Sequence, residues 1–430
     1  MAAAGTVILE AARAEGAGRC GRILMMFRSP ASKFMPSALV FPGGRVDKTD
    51  LAWASERKAA FGVADDSLAA VALRRCAARE VFEETGVPLL GSDIGAAPGP
   101  SPGAPGAGLR DSRLRVAADP SAFAEELLSL RPGAVGDASA PEAASGLLAA
   151  MPVLSRYRTP LFEQRQFDAW FLAATLGPGL DQEAAEAWSR AAGIRVTTPD
   201  EILEAHQTGR GRRDDSADEE AAAVVWLSPR RALALQAAGA VMLPPPQWLT
   251  LSELAGAVPV PSGVDRGWFA PGEGPGVAAL ARARQGAVCA AVAAATGAPN
   301  SAAGALTPAI RKQLHVAGDS SGGPRRLCML MPGDEDFDPS RDGEDELTQA
   351  MLGAPGPATP GWVGRGSPGA RRRVWIDVRE TATESERRRL DALRDAALAG
   401  PEGLAKGAKE RTIGSLPFGA LLYSLESVRA

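Results

Sequence analysis

Short apolar runs recur along the chain and predict β-strands, because four to eight such residues bounded by turn signals are typical of buried strands. The runs cover residues 6–9, 22–28, 38–41, 167–172, 222–227 and 374–378. The third run stops at Pro42, Gly43 and Gly44, a combination that ends a strand abruptly. After the fifth run, Ser228 can cap a helix that has Pro229 at its first position.

The strongest helical pattern covers residues 67–85. At helical spacing one apolar face collects Leu68, Val71, Ala72, Ala78 and Phe82. Arg75 interrupts that face, and Gly86 can supply a left-handed stop. Because helices and strands are interleaved, the expected fold class is α/β or α+β.

Composition indicates that much of the length is insert. Glycine (48) and proline (34) together make about a fifth of the 430 residues, and alanine makes about another fifth. We expect a first domain over 1–255 that contains a low-complexity Ala/Gly/Pro insert at about 92–150. Residues 256–324 are expected to form a flexible insert, and 325–430 an extension that packs on the core.

Charge and residue usage exclude several classes of protein. A net charge of −4 and a pI near 5.6 argue against nucleic-acid binding, which favours a basic surface. No apolar run reaches the 18 residues of a membrane span, so no membrane partner is expected. Four cysteines without a CxxC pair exclude a cysteine-rich zinc site. With only two histidines, the carboxylates become the main candidates for chemistry.

One acidic segment carries the clearest chemical signal. Glu80, Glu83 and Glu84 are spaced i, i+3, i+4, so a helix projects them from one side. Their mutual repulsion is relieved by a hard cation such as Mg²⁺ or Mn²⁺, which prefers oxygen ligands. Arg79 can pair with Glu83 one turn later. The plain alternative is a solvated surface helix with an ordinary Arg–Glu pair.

Residues 79–87 resemble the second half of the Nudix box, in which Arg-Glu-apolar-any-Glu-Glu-any-Gly-apolar follows a glutamate and, further upstream, a glycine. The first half departs from the pattern, because its glutamate and glycine positions hold Val71 and Asp65. The expected Gly-Gly lies upstream at Gly43 and Gly44. The box therefore carries an insertion of about twenty residues, which loop entropy tolerates.

The split box resembles the Nudix coenzyme A diphosphatases of the nucleoside diphosphate-linked moiety X motif 19 family. Similar pieces occur in the same order at 28–36, 40–44, 165–168, 226–229, 243–247 and 331–335. The resemblance implies a Nudix-type α/β/α sandwich with a mixed sheet. It also implies Mg²⁺- or Mn²⁺-dependent cleavage of coenzyme A or acyl-CoA to 3′,5′-ADP and (acyl-)4′-phosphopantetheine.

The resemblance further implies roles for individual residues. The metal ligands would be Glu80, Glu83 and Glu84 with the carbonyl of Gly44, and Arg79 would belong to the same catalytic group. Substrate contacts would come from Arg28, Ser29, Gly43 and Gly44. Glu220, before the fifth strand, matches a further acid, although acidic neighbours leave that choice open. Phe162 and Phe167 could stack adenine or pack in the core, and the general base stays unassigned.

Three questions stay open at the level of sequence. The substrate could be another nucleoside diphosphate derivative such as ADP-ribose, NADH or a damaged nucleotide. The chain could also be a catalytically silent binding protein, for which Val71 is the feature in favour. We expect an intracellular location, in cytoplasm, peroxisome or mitochondrion, and a homodimer is one expected state.

Overall fold

A computed structural model describes the chain in separate ranges. They are residues 2–11, 21–32, 35–56, 68–89, 108–129, 151–159, 167–176, 181–208, 221–255, 276–277, 280–281, 313–317, 326–330, 371–399, 406 and 421–428. Within these ranges, no helix is both long enough and apolar enough to cross a membrane.

The larger sheet contains the strands that the apolar runs predict. Its strands are β1 (Ala2–Ala11), β2 (Arg22–Arg28), β3 (Leu39–Val40), β4 (Gly43–Arg45), β5 (Val153–Arg158), β6 (Phe167–Thr175) and β7 (Ala221–Leu227). The order of hydrogen-bonded strands across the sheet is β3-β2-β1-β6-β5, and in addition β4 pairs with β1 and β7 pairs with β2. Because β1 and β6 are parallel and the other neighbours antiparallel, the sheet is mixed, as predicted.

One end of this sheet collects several of the predicted site residues. Strand β4 pairs with the N-terminal half of β1, where Gly43 lies opposite Thr6. Because β1 and β2 are antiparallel, the same end holds Arg28, the last residue of β2. Arg28 is paired with Ala221, the first residue of β7. The topology thus brings the two glycines, Arg28 and the start of β7 to one edge.

Helices cover both faces of the sheet. They are α1 (Lys48–Glu56), α2 (Leu68–Thr85), α3 (Leu109–Ala118), α4 (Phe123–Ser129), α5 (Gln182–Ala191), α6 (Pro199–Gln207), α7 (Pro229–Ala237) and α8 (Pro245–Leu254). One buried cluster joins α2, α4 and α5 to one face, and a second joins α6, α7 and α8 to the other. This arrangement confirms the predicted α/β/α sandwich.

Helix α2 lies against the sheet at a glycine of β1. A methyl group on Gly5 would stand 2.8 Å from the carbonyl oxygen of Leu73 and 3.0 Å from Cβ of Ala77. Real Cβ atoms rarely approach other atoms so closely, so Gly5 sets how near α2 can lie. The helix covers residues 68–85 and ends at Gly86, whose φ of 72° confirms the predicted stop.

A second sheet packs on the face opposite α2. Its antiparallel order is β11 (Leu421–Val428), β10 (Arg371–Val378), β9 (Arg326–Leu330) and β8 (Gln313–Ala317), and α9 (Glu384–Leu398) packs beside β8. Leu327, Ile376 and Leu393 share a buried cluster with residues of the larger sheet. Strand β8 lies inside the segment 256–324, so the expectation of an insert without structure fails there.

The stretch 92–150 likewise contains ordered elements. Helices α3 and α4 lie within it and bury Leu109, Val116 and Phe123 against α2 and its neighbours. These three buried residues are difficult to recognise in the alanine-rich sequence, because they are spread over fifteen positions and give only a weak periodic signal. This part of the insert belongs to the packed layer that supports α2, called the box helix below because it carries residues 79–85 of the Nudix-box resemblance.

Candidate active site

Neighbouring elements fix the C-terminal end of α2. The hydroxyl of Ser189 donates to the carbonyl oxygen of Thr85 at 2.6 Å. Arg113 donates to the carbonyl oxygen of Glu83 at 3.0 Å and to that of Ala192 at 3.0 Å. Carbonyls in a last helical turn lack helical partners, and here side chains from α3 and α5 satisfy two of them. The acidic end of the box helix is therefore held rigidly.

Two glutamates of α2 meet the Gly43–Gly44 dipeptide. The backbone N–H of Gly43 donates to Oε2 of Glu84 at 2.7 Å. The Glu80 carboxylate lies so close to Gly44 that a methyl group on Gly44 would overlap it. A glycine leaves space for the Glu80 carboxylate at this position, and a larger side chain would displace that carboxylate. The loop and the helix, separated by the insertion in sequence, thus form one site.

Arg79 is buried, with 3% of its side chain exposed, and it joins three carboxylates. Its Nη1 lies 2.7 Å from Oε1 of Glu83 and 3.0 Å from Oε1 of Glu80. Its Nη2 lies 3.0 Å from Oδ2 of Asp50. Burial disfavours the charged guanidinium, but the carboxylates of Glu80 and Asp50 outweigh burial and raise the pKa of Arg79. The predicted Arg79–Glu83 pair is confirmed.

Asp50 is a member of this cluster that the sequence analysis did not identify. It lies on α1, is fully buried, and pairs with Arg75 as well as Arg79. The backbone N–H of Asp47 also donates to Asp50, at 3.0 Å. The available signal was Arg75, because an arginine on an apolar helix face requires a buried carboxylate partner. The sequence alone could not say which acid would provide it.

Burial shifts the pKa of two side chains in this part of the site, Glu83 and Cys76. Burial raises the pKa of Glu83, and the attraction of Arg79 offsets this only in part. Burial likewise raises the pKa of the Cys76 thiol, which is fully buried beside the Gly44 carbonyl. Cys76 is therefore a core residue.

The carboxylate oxygens of Glu80, Glu83 and Glu84 are the type of donor that a hard divalent cation prefers. Three carboxylates lie within two turns of one helix, and Glu80 and Glu84 both contact the Gly43–Gly44 backbone. Across the described ranges, however, no three Asp, Glu, His or Cys side chains converge closely enough to hold a metal ion. The carboxylates of Glu80 and Glu83 are instead turned toward Arg79.

Arg28 and Ser29 lie where β2 ends, at the edge that also holds the two glycines. The Arg28 guanidinium donates to Oγ of Ser32 at 2.9 Å, and its backbone N–H bonds to Ala38. Ser29 is buried, and its hydroxyl accepts a hydrogen bond from the N–H of Ala31 at 3.3 Å. Both residues shape the turn after β2, and their substrate contacts stay predictions.

The remaining candidates lie elsewhere. Glu220 and Phe162 lie outside the described residues, so their predicted roles stay predictions. Asp168 forms a buried pair with Arg156, with Arg156 Nε 2.7 Å from Oδ1 of Asp168. The Arg156 guanidinium lies over the Trp170 ring, 4.4 Å from its centroid. Asp168 is therefore a structural residue of the sheet.

Comparison with known proteins adds to this geometry. No family model matches the chain. Nudix hydrolase 7 of Caenorhabditis elegans is 42% identical over 66 residues, which are 15% of this chain and 17% of that protein. Acyl-coenzyme A diphosphatase NUDT19 of Gallus gallus is 35% identical over 150 residues, 27% of this chain and 39% of that protein. Over these stretches the chain is similar to proteins named as Nudix hydrolases.

The extent of these matches is limited. The chain spans less than half the length of the curated Nudix relatives it matches. A crystal structure of a NUDIX hydrolase from Alicyclobacillus acidocaldarius superposes with a TM-score of 0.36 and 19% identity. That match covers 59% of this chain and 90% of the other. The names of these relatives agree with the resemblance of residues 79–87 to the Nudix box.

Proposed function

We propose that this protein is a divalent-metal-dependent Nudix hydrolase that cleaves the diphosphate of coenzyme A or acyl-CoA. The products are 3′,5′-ADP and (acyl-)4′-phosphopantetheine. The observation that carries the proposal is the meeting of Glu80 and Glu84 with the Gly43–Gly44 backbone, across an inserted segment. The match to a protein named acyl-coenzyme A diphosphatase supports the choice of substrate.

Each part of the site has a role in this chemistry. Glu80, Glu83 and Glu84 would hold Mg²⁺ or Mn²⁺ together with the Gly44 carbonyl. A bound divalent ion polarises phosphoryl oxygens and lowers the pKa of a coordinated water. The small Gly43–Gly44 backbone leaves room for the diphosphate beside the carboxylates. Arg28, at the same edge of the sheet, would pair with a phosphate through its planar guanidinium.

The test is a product assay on the purified full chain. Coenzyme A, acetyl-CoA, ADP-ribose, NADH and 8-oxo-dGTP are each incubated with Mg²⁺ or Mn²⁺, and the products are separated by chromatography. We expect 3′,5′-ADP from the two coenzyme A samples only. Removing the metal with EDTA should abolish the reaction, because the carboxylates then have no ion to present.

A matched pair of variants ties the activity to the helix. Glu84→Gln preserves the size of the side chain and its acceptor for the Gly43 N–H. We expect it to lower kcat about 10²- to 10⁴-fold, the range for loss of a group acting in the transition state. Glu204→Gln, on the exposed side of α6, should leave kcat unchanged.

Two results would contradict the proposal. Turnover of ADP-ribose or NADH in place of coenzyme A would preserve the site but refute the substrate. A folded protein that turns over nothing on the panel would support the catalytically silent alternative.

A further inference from the structure

Four residues of α2 stand in one row along the helix, each four positions after the last. They are Val71, Arg75, Arg79 and Glu83. Residues four apart are neighbours on a helix surface, so two adjacent arginines stand in this row before the acid. Both are buried, with 2% and 3% of their side chains exposed. Two buried guanidinium groups side by side require a carboxylate between them.

The helix itself offers no acid in the first position of this row. The Nudix pattern has a glutamate where this chain has Val71. Val71 is buried in an apolar cluster with Ala54 and Ala72, and the indole of Trp53 packs against them. The carboxylate that pairs with the two arginines comes instead from α1, which lies within the insertion that splits the box. Asp50 of that helix binds both arginines.

We propose that Asp50 is a positioning residue for the active site. It holds Arg79 in the one orientation in which Arg79 fixes the carboxylates of Glu80 and Glu83. The inserted helix α1 thereby supplies a residue that positions the charged groups of the Nudix site. This inference rests on the proposed hydrolase function, because only a metal site gives the placement of these carboxylates a consequence.

The geometry of Arg79 explains how the orientation is transmitted. Its Nε and Nη2 face Asp50, at 3.3 Å from Oδ1 and 3.0 Å from Oδ2. Its Nη1 faces Oε1 of Glu80 and Oε1 of Glu83. A guanidinium is planar and rigid, so two bonds on one edge fix the direction of the remaining nitrogen. Without Asp50, Arg79 could rotate and the two glutamates would lose a common anchor.

Asp50 is itself held by contacts that leave it little freedom. It accepts from the backbone N–H of Asp47, and it pairs with Arg75. Arg75 in turn donates to the carbonyl oxygen of Pro120 at 2.8 Å and lies 5.4 Å from the centroid of the Trp53 ring. The anchor therefore belongs to the layer formed by α1, α2 and the turn before α4.

The test compares Asp50→Asn with Asp168→Asn. Both changes remove one charge from a buried carboxylate paired with a buried arginine, but Asp168 pairs with Arg156. Binding of Mn²⁺ alone is followed by the EPR signal of the free ion, and kcat and KM for coenzyme A are measured separately. We expect Asp50→Asn to weaken Mn²⁺ binding about ten- to hundred-fold, as loss of outer-shell partners does, and to lower kcat. Asp168→Asn should match wild type in both measurements at a temperature where it is folded.

A second variant keeps the inference testable if Asp50→Asn does not fold. The double change Asp50→Asn/Arg75→Gln removes one buried negative and one buried positive charge, so the cluster stays balanced. It should fold and still bind Mn²⁺ about tenfold or more weakly than wild type.

The outcomes separate the two proposals. Equal Mn²⁺ affinity and kcat in wild type and the folded Asp50 variants would overturn the role of Asp50. Normal Mn²⁺ binding by wild type without turnover of coenzyme A would overturn only the proposed substrate. A purely structural Asp50 would lower the melting temperature alone, as we expect for Asp168→Asn.

Discussion

Two buried charge clusters on the same side of the larger sheet differ in what they are connected to. Arg156 and Asp168 form a buried pair on β5 and β6, and the Arg156 guanidinium lies over the Trp170 ring. Arg79 and Asp50 are equally buried, but Arg79 also reaches Glu80 and Glu83, which are about 14% exposed. Burial of charge is common to both clusters. What distinguishes the candidate site is a chain of contacts from the interior to half-buried carboxylates.

The comparison shows why a buried ion pair alone does not mark a site. Desolvation of two charges costs about as much as their attraction returns, so such a pair is weak evidence even for stability. The contacts described above for the Arg156–Asp168 pair lie within the sheet, on β5 and β6. The Arg79 cluster includes Glu80, whose carboxylate lies against the Gly44 backbone.

Replacing the central arginine of each cluster by methionine should give the largest difference in kcat between the two clusters. Arg79→Met removes the cation shared by Asp50, Glu80 and Glu83, and Arg156→Met removes the cation paired with Asp168, so each should lower the free energy of unfolding by about 3–5 kcal/mol. Only Arg79→Met should also reduce kcat per folded molecule, by about a hundredfold. Urea unfolding and initial rates on the same samples measure the two effects. Equal kcat values in the two variants would remove the distinction between the clusters.

The two adjacent glycines should separate stability from activity. A methyl group at Gly43 would overlap backbone atoms of Gly5 and Thr6, so Gly43→Ala should cost about 1–3 kcal/mol of stability. At Gly44 the methyl group would meet the end of the Glu80 side chain, which can move aside. Gly44→Ala should therefore fold with a smaller loss of stability and lose about tenfold in kcat. Thermal unfolding and rate assays test this, and a Gly44→Ala enzyme with wild-type kcat would contradict it.

A carboxylate outside both clusters should give the smallest effect. Glu201 accepts from the Thr197 hydroxyl at 2.7 Å and from the Thr198 N–H at 3.0 Å, and these bonds lower its pKa. Its stabilising contribution is therefore present above the unfolded pKa of about 4.3 and is lost as pH falls through the lower folded value. Because Glu201 is exposed, Glu201→Gln should cost less than about 1 kcal/mol at pH 7 and nothing at low pH. Unfolding curves from pH 7 to 3 measure this, and a penalty that grows on acidification would contradict it.

The sequence predicted the box helix and the strands well, for a physical reason. Residues 68–85 and the strands at 22–28 and 221–227 have local periodicity that burial in a sandwich reinforces. Asp50 was out of reach, because an acid six residues after Gly44, inside the insertion, has no fixed register with the helix that follows the insertion. Strand β8 was hidden for a different reason, since five residues in an alanine-rich context carry little pattern.

The parallel pairing of β1 with β6 determines when this fold can form. Ala2 lies beside Phe167, and Glu10 beside Thr175, so 165 residues separate the partners at each position. A ribosome adding about 5–20 residues per second needs roughly 10–30 s to supply that stretch. During that time β2 and β4 are the described strands that can pair with the central strand β1. The glycine loop and the box helix therefore leave the ribosome before the sheet that supports them is complete.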